Sequence, residues 1–105
     1  MGLKKGEVAR RRNTKARDEL TLHILGAQFH KVDMEIVRLL VQRAKLTKKV
    51  GEVKKNLGIP LVRREIEEER VEAVLLQARK LFHPNPKDVE TIFRLIIATS
   101  TVLQV

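Results

Sequence analysis

The sequence has no cysteine, no tryptophan and no tyrosine, and only three phenylalanines among 105 residues. Without thiols there is no disulfide framework, no thiolate nucleophile and no thiolate metal site, and such usage fits a reducing cytosol. The scarcity of aromatics removes the stacking platform on which single-stranded nucleic acid is usually held. His23, His30 and His83 share no ligand spacing, so a histidine-based metal centre is not expected. No Ser/His/Asp or Cys/His set and no phosphate-binding glycine loop occurs, which argues against covalent and metal-assisted catalysis. No run approaches the ~20 apolar residues of a membrane span. No apolar stretch follows the first basic residues as it would in a secretory signal. The expectation is a soluble, cytoplasmic chain with one domain, too short for a second core.

What is abundant is positive charge. The 22 Lys and Arg residues outnumber 13 Asp and Glu, for a net charge of +9. The excess is uneven: residues 1–18 carry seven bases against Glu7 and Asp18, a net +5, and residues 19–105 carry the remaining +4. A segment so basic and so poor in apolar residues cannot bury enough surface to order itself, so residues 1–18 are expected to be a disordered tail and 19–105 a folded domain. The charge points to an anionic partner: nucleic acid, an acidic membrane surface or a small polyanion.

Asp18 to Leu57 reads as one long helix. Leu22, Leu25, Phe29, Val32, Ile36, Leu39, Arg43, Leu46, Val50, Val53 and Leu57 recur at alternating spacings of three and four, a heptad seam with one charged interruption. Forty helical residues would span about 60 Å, longer than a domain of this size is wide, so a partner helix in a second copy is expected. Gly26 and Gly51 inside the helix each cost roughly 1 kcal/mol against Ala, which close helix contacts would compensate. Gly58 suits a left-handed cap ahead of Pro60. A second helix is predicted from about Arg63–Glu65 to Phe82, with Ile66, Val71, Val74, Leu75, Ala78 and Leu81 on its apolar side. Asn85 and Pro86 then open a third helix with an apolar stripe of Val89, Ile92, Phe93, Ile96, Ile97, Ser100 and Leu103. The fold class is therefore all-α, one long N-terminal helix and two shorter ones.

Polar residues in apolar places are the informative ones. Arg43 occupies a seam position where its neighbours in register are apolar. It either sets the register, snorkels to water, or holds a ligand carboxylate with its planar fork. Lys54 lies eleven residues on, three turns and about 16 Å along the same face, where two long side chains could close on one small dianion. Otherwise it is a solvated member of the Lys48–Lys55 basic run. Ser100 interrupts the apolar stripe and shares a face with Gln104. Alone, Ser100 reads as a small residue bonding the preceding turn's carbonyl, and Gln104 as a frayed end. The Glu65–Glu69 run reads as an acidic first turn.

Taken together these segments resemble the all-helical (type II) chorismate mutase family. The matching stretches are Phe29-His30-Lys31-Val32-Asp33, Ile36-x-x-Leu39-Leu40-x-x-Arg43, Val50-Gly51-x-x-Lys54, Gly58-Ile59-Pro60 and Ile92-Phe93-x-x-Ile96-Ile97-x-x-Ser100-x-x-x-Gln104, covering about residues 22–104. The resemblance implies an intertwined helical homodimer that converts chorismate to prephenate in aromatic amino acid biosynthesis, with no cofactor and no metal. It implies that Arg43 clamps a substrate carboxylate and that Lys54 and Gln104 donate to the ether oxygen. Ser100 would donate to a carboxylate, and Glu67 would accept from the substrate hydroxyl, or Glu68 if one residue is inserted. Two positions depart from the family pattern. Gly26 stands where the family has an Arg that reaches across the dimer. In the second helix, Arg63 or Arg64 stands at the family's Asp and Ile66 or Glu67 at its Arg. Arg63, Arg64 or Arg17 would have to supply the missing cation. The alternatives are a weakened or inactive binding or regulatory relative on the same fold, and a basic helical dimer that binds nucleic acid.

Overall fold

A computed structural model describes the backbone of residues 5–104 and the side chains of residues 10–104. It contains three helices, α1 (Lys5–Leu57), α2 (Arg64–Lys80) and α3 (Pro86–Leu103), and no strand among the described residues. The all-α class with one long and two shorter helices agrees with the sequence pattern. The start of α1 does not: it lies at Lys5 rather than near Asp18. Residues 7–18 contain neither Gly nor Pro and are mostly Arg, Lys, Ala and Glu, good helix formers whatever their net charge. Composition foretold too little apolar surface for a core, and local propensity makes a helix without one. Residues 1–4 of the expected tail lie outside the described residues.

The chain divides into two units, Met1–Leu40 and Val41–Val105. The described part of the first is helical throughout, and every side chain from Arg10 to Leu40 is exposed. Its interactions are local, such as the Arg38–Glu35 pair one turn apart and the Thr21 hydroxyl donating to the Arg17 carbonyl at 2.9 Å. Its apolar row is open, with Leu22 and Phe29 each 69% exposed.

The second unit contains the end of α1 together with α2 and α3. Gly58 closes α1 with φ +67°, a backbone state that costs a Cβ-bearing residue energy. The Gly58 N–H then donates to the Lys55 carbonyl at 3.2 Å and the Ile59 N–H to the Lys54 carbonyl at 3.1 Å, the paired bonds of a Schellman cap. α2 ends in the same way, with Phe82 donating to Arg79 at 3.1 Å and His83 to Ala78 at 2.9 Å, but here Phe82 takes the left-handed position at φ 58°. The helix stops at Lys80, which leaves Leu81 on its far side exposed. α2 and α3 pack through Val71 and Ala78, both buried, with Val74, Phe93, Ile96 and Ile97 half-buried. Arg94 of α3 clasps Glu68 of α2 with two bonds of 2.8 and 3.1 Å and also reaches Glu90. Asn85 is the N-cap of α3 with Pro86 behind it, yet its side chain makes no capping bond. Instead its N–H donates to His83 Nδ1 at 2.9 Å, so the histidine organises the turn.

Candidate active site

Beside the α2–α3 pair lies a cavity of about 350 Å³. The end of α1 lines it with Arg43, Thr47, Val50 and Lys54, spaced four, three and four and therefore on one helical face. α2 contributes Ile66, Glu67 and Arg70, α3 contributes Ile97 and Ser100, and Arg63 and Gln104 stand at the helix boundaries. All six candidates from the sequence, Arg43, Lys54, Arg63, Glu67, Ser100 and Gln104, thus border one space. Arg64 does not line it, and Arg17 belongs to the other unit.

Three local arrangements hold the polar groups. The Arg43 guanidinium donates to the Ser100 hydroxyl, which in turn donates to the Ile96 carbonyl at 2.8 Å. Ser100 therefore does bond the preceding turn, and in doing so presents its lone pairs to Arg43. Burial first, and the like charge of Arg70 second, push the Arg43 guanidinium below its ordinary pKa. A guanidinium remains charged in proteins nonetheless.

Lys54 is fixed by the end of its own helix. The Schellman cap turns the chain back, and the Lys54 ammonium donates to the Leu61 carbonyl at 2.8 Å. It also donates to Gln104 Oε1 at 3.2 Å. An ammonium only donates, so it selects the amide oxygen of Gln104 and leaves the NH₂ group available for another acceptor.

Gly51 brings these two residues together. A Cβ at Gly51 would sit 2.8 Å from the Gln104 carbonyl oxygen and 2.9 Å from its Cα. Only glycine lets the end of α3 come this close to α1, so the expected close contact exists at Gly51. At Gly26 a Cβ would meet nothing within 4 Å, and the helix carries that glycine with no contact in this chain to offset it.

Glu67 and Glu68 are placed differently. Glu67 lines the cavity, whereas Glu68 is occupied by Arg94. Ile66 lines the cavity too, an apolar side chain among charged ones. Sequence reasoning missed Arg70, although the spacing Arg63–Ile66/Glu67–Arg70 of three, four and seven marks a single face of α2. Among the described residues no group of three or more His, Asp or Glu side chains converges as a metal set would.

The cavity is a small, strongly cationic space with one carboxylate, fixed hydrogen-bond donors and an apolar wall. It can bind and orient a compact dianion and stabilise developing negative charge. The bifunctional chorismate mutase/prephenate dehydratase of Aquifex aeolicus (strain VF5) is 36% identical over 58 residues, 55% of this chain and 16% of the relative. This chain thus corresponds to a small part of that protein's length. No solved structure matches at a significant level. The profile of chorismate mutase type II matches residues 25–105, a range that contains every residue lining the cavity, and the chain belongs to that family.

Proposed function

We propose that this chain is a chorismate mutase, catalysing the Claisen rearrangement of chorismate to prephenate in aromatic amino acid (Phe/Tyr) biosynthesis. The observation that carries the reading is the pairing of Lys54 with Gln104 beside Arg43, Ser100 and Glu67 around one cavity.

The reaction is an intramolecular bond exchange. It needs no nucleophile and no proton shuttle, but it needs the substrate folded into a chair-like geometry and negative charge accommodated on the breaking ether oxygen. Arg43, steadied by Ser100, binds a carboxylate and so restricts the substrate to reactive conformers. The Lys54 ammonium and the free NH₂ of Gln104 donate to the ether oxygen as its charge grows, which stabilises the transition state more than the ground state. The Ser100 hydroxyl can rotate from the Ile96 carbonyl to donate to a carboxylate, and Glu67 accepts from the substrate hydroxyl. Arg63 adds a cation at the rim. Residues 19–105 constitute the mutase domain in this reading, with the basic segment 1–18 apart from it. The working form is a cytoplasmic homodimer. Among the described residues no helix is long and apolar enough to cross a membrane.

Turnover of chorismate by the purified chain, followed by the loss of its ultraviolet absorbance, tests the proposal. Lys54→Ala should lower kcat by roughly 10²–10³, the usual loss for one donor to a developing oxyanion. Turnover no faster than the uncatalysed rate in the wild type would refute the reading. One observation favours a second reading, a relative that binds without catalysis: Ile66 lines the cavity where the family pattern has an Arg. Chorismate binding without turnover would establish it. A nucleic-acid role would instead give DNA affinity falling steeply with salt.

A further inference from the structure

The cavity is bordered by Arg43, Lys54, Arg63 and Arg70 against the single acid Glu67, a formal net charge of +3. Two of the four cations have partners within the chain: Arg43 bonds Ser100, and Lys54 bonds Leu61 and Gln104. Arg70 has none among the described residues. It follows Glu67 by three positions, a spacing that commonly closes an ion pair on a helix, yet the two side chains form neither a hydrogen bond nor a salt bridge. Both border the cavity instead. Arg70 also stands near enough to Arg43 for its like charge to disfavour the Arg43 cation. Two guanidinium groups, from α1 and α2, thus border one cavity and repel each other. A planar carboxylate relieves that repulsion and can take a bidentate bond from each fork.

We propose that Arg70 is a substrate-binding residue that, together with Arg43, holds one carboxylate of a dicarboxylate ligand. The inference rests on the mutase reading for the identity of that ligand. Arg63, two turns back along α2 and about 10 Å away along the axis, is then available to the second carboxylate. Arg70 would supply the positive charge that Ile66 does not.

The test uses the full chain as wild type, Arg70→Ala, Arg70→Lys and Arg79→Ala, with circular dichroism to establish equal helix content. Arg70 is exposed, so its removal should leave folding intact; Arg79 lies outside the cavity. Chorismate kinetics and calorimetric binding of prephenate are read together. Arg70→Ala should raise KM for chorismate and Kd for prephenate roughly tenfold or more, as loss of a charge-assisted carboxylate bond does. Arg70→Lys should recover part of the loss, and Arg79→Ala should change neither value. An active wild type whose KM and Kd are untouched by Arg70→Ala would overturn the assignment and leave the mutase reading standing. A wild type that binds chorismate and prephenate without turnover, and binds them more weakly as Arg70→Ala, would uphold the assignment and end the mutase reading. A wild type that neither binds nor turns over these dicarboxylates would overturn both.

Discussion

Gly51 shows how one missing side chain can set the approach of two helices. Its replacement by Ala adds a Cβ against two backbone atoms of Gln104, at 2.8 and 2.9 Å, so the end of α3 must move. Helix propensity would return roughly 1 kcal/mol, while overpacking costs about 1–3 kcal/mol, leaving stability little changed or lower. Activity is more exposed to the change, because the Lys54–Gln104 bond is already 3.2 Å and displacement by ~1 Å can cost on the order of 10² in rate. Gly51→Ala is therefore expected to reduce kcat by at least about tenfold with a modest fall in Tm; an unchanged kcat would show that Gln104 needs no such approach. Arg43 and Ser100 were legible in the sequence because each breaks an apolar periodicity, so the pattern itself asks what the polar group does; Gln104 read alone as a frayed end, and only the face it shares with Ser100 and the family resemblance singled it out. Arg70 was not legible, because it closes the charged stretch Arg63–Arg70, where a cation that borders a cavity and one that faces water look alike. Only packing separates them.

At the level of helices, the terminators carry as much of the site as the helices do. Gly58 ends α1 at the point where the returning chain offers the Leu61 carbonyl to Lys54. That stop was readable from Gly58 and Pro60. The equivalent stop of α2 was not, because Phe82 is a poor residue for φ 58° and no local rule selects it. Its side chain is 90% exposed, so little packing rewards the strain. Phe82→Gly should stabilise the fold by roughly 1 kcal/mol, seen as a higher denaturant midpoint with an unchanged slope. A lower midpoint would mean that the ring makes contacts elsewhere. The clasp between α2 and α3 has a pH signature. Hydrogen bonds from Arg94 hold the Glu68 carboxyl below its ordinary value. A depressed folded-state pKa contributes stability above the unfolded value, about 4.3 for Glu, and that contribution disappears as pH falls through the folded value. Both groups are exposed, so salt should weaken the effect. Glu68→Gln should lower Tm slightly at pH 7 and flatten its acid dependence below about pH 4.3; identical acid limbs would show the clasp to be energetically idle.

For the molecule as a whole, the deciding feature is the heptad row of the first unit. Leu22, Leu25, Phe29, Val32, Ile36 and Leu39 were expected to seek a partner helix, and all six are at least 43% exposed in the single chain. A contiguous apolar row of this length is unusual on a soluble monomer. Fully burying such a side chain contributes roughly 1.5–3 kcal/mol. Twelve of them, six from each of two copies, would contribute on the order of 10–20 kcal/mol even if half of each surface were already covered. Association costs about 4–15 kcal/mol, an amount of the same order, so a dimer held by this row is the expected form. Sedimentation equilibrium should give twice the 12.1 kDa chain mass. Leu22→Glu combined with Phe29→Glu should shift the species toward the chain mass, because two charges per copy would have to be buried unpaired. If the dimer completes the site, activity should fall with dissociation and recover as protein concentration rises. Full activity in a monomeric double variant would instead mean that Val41–Val105 binds and turns over substrate without a second copy.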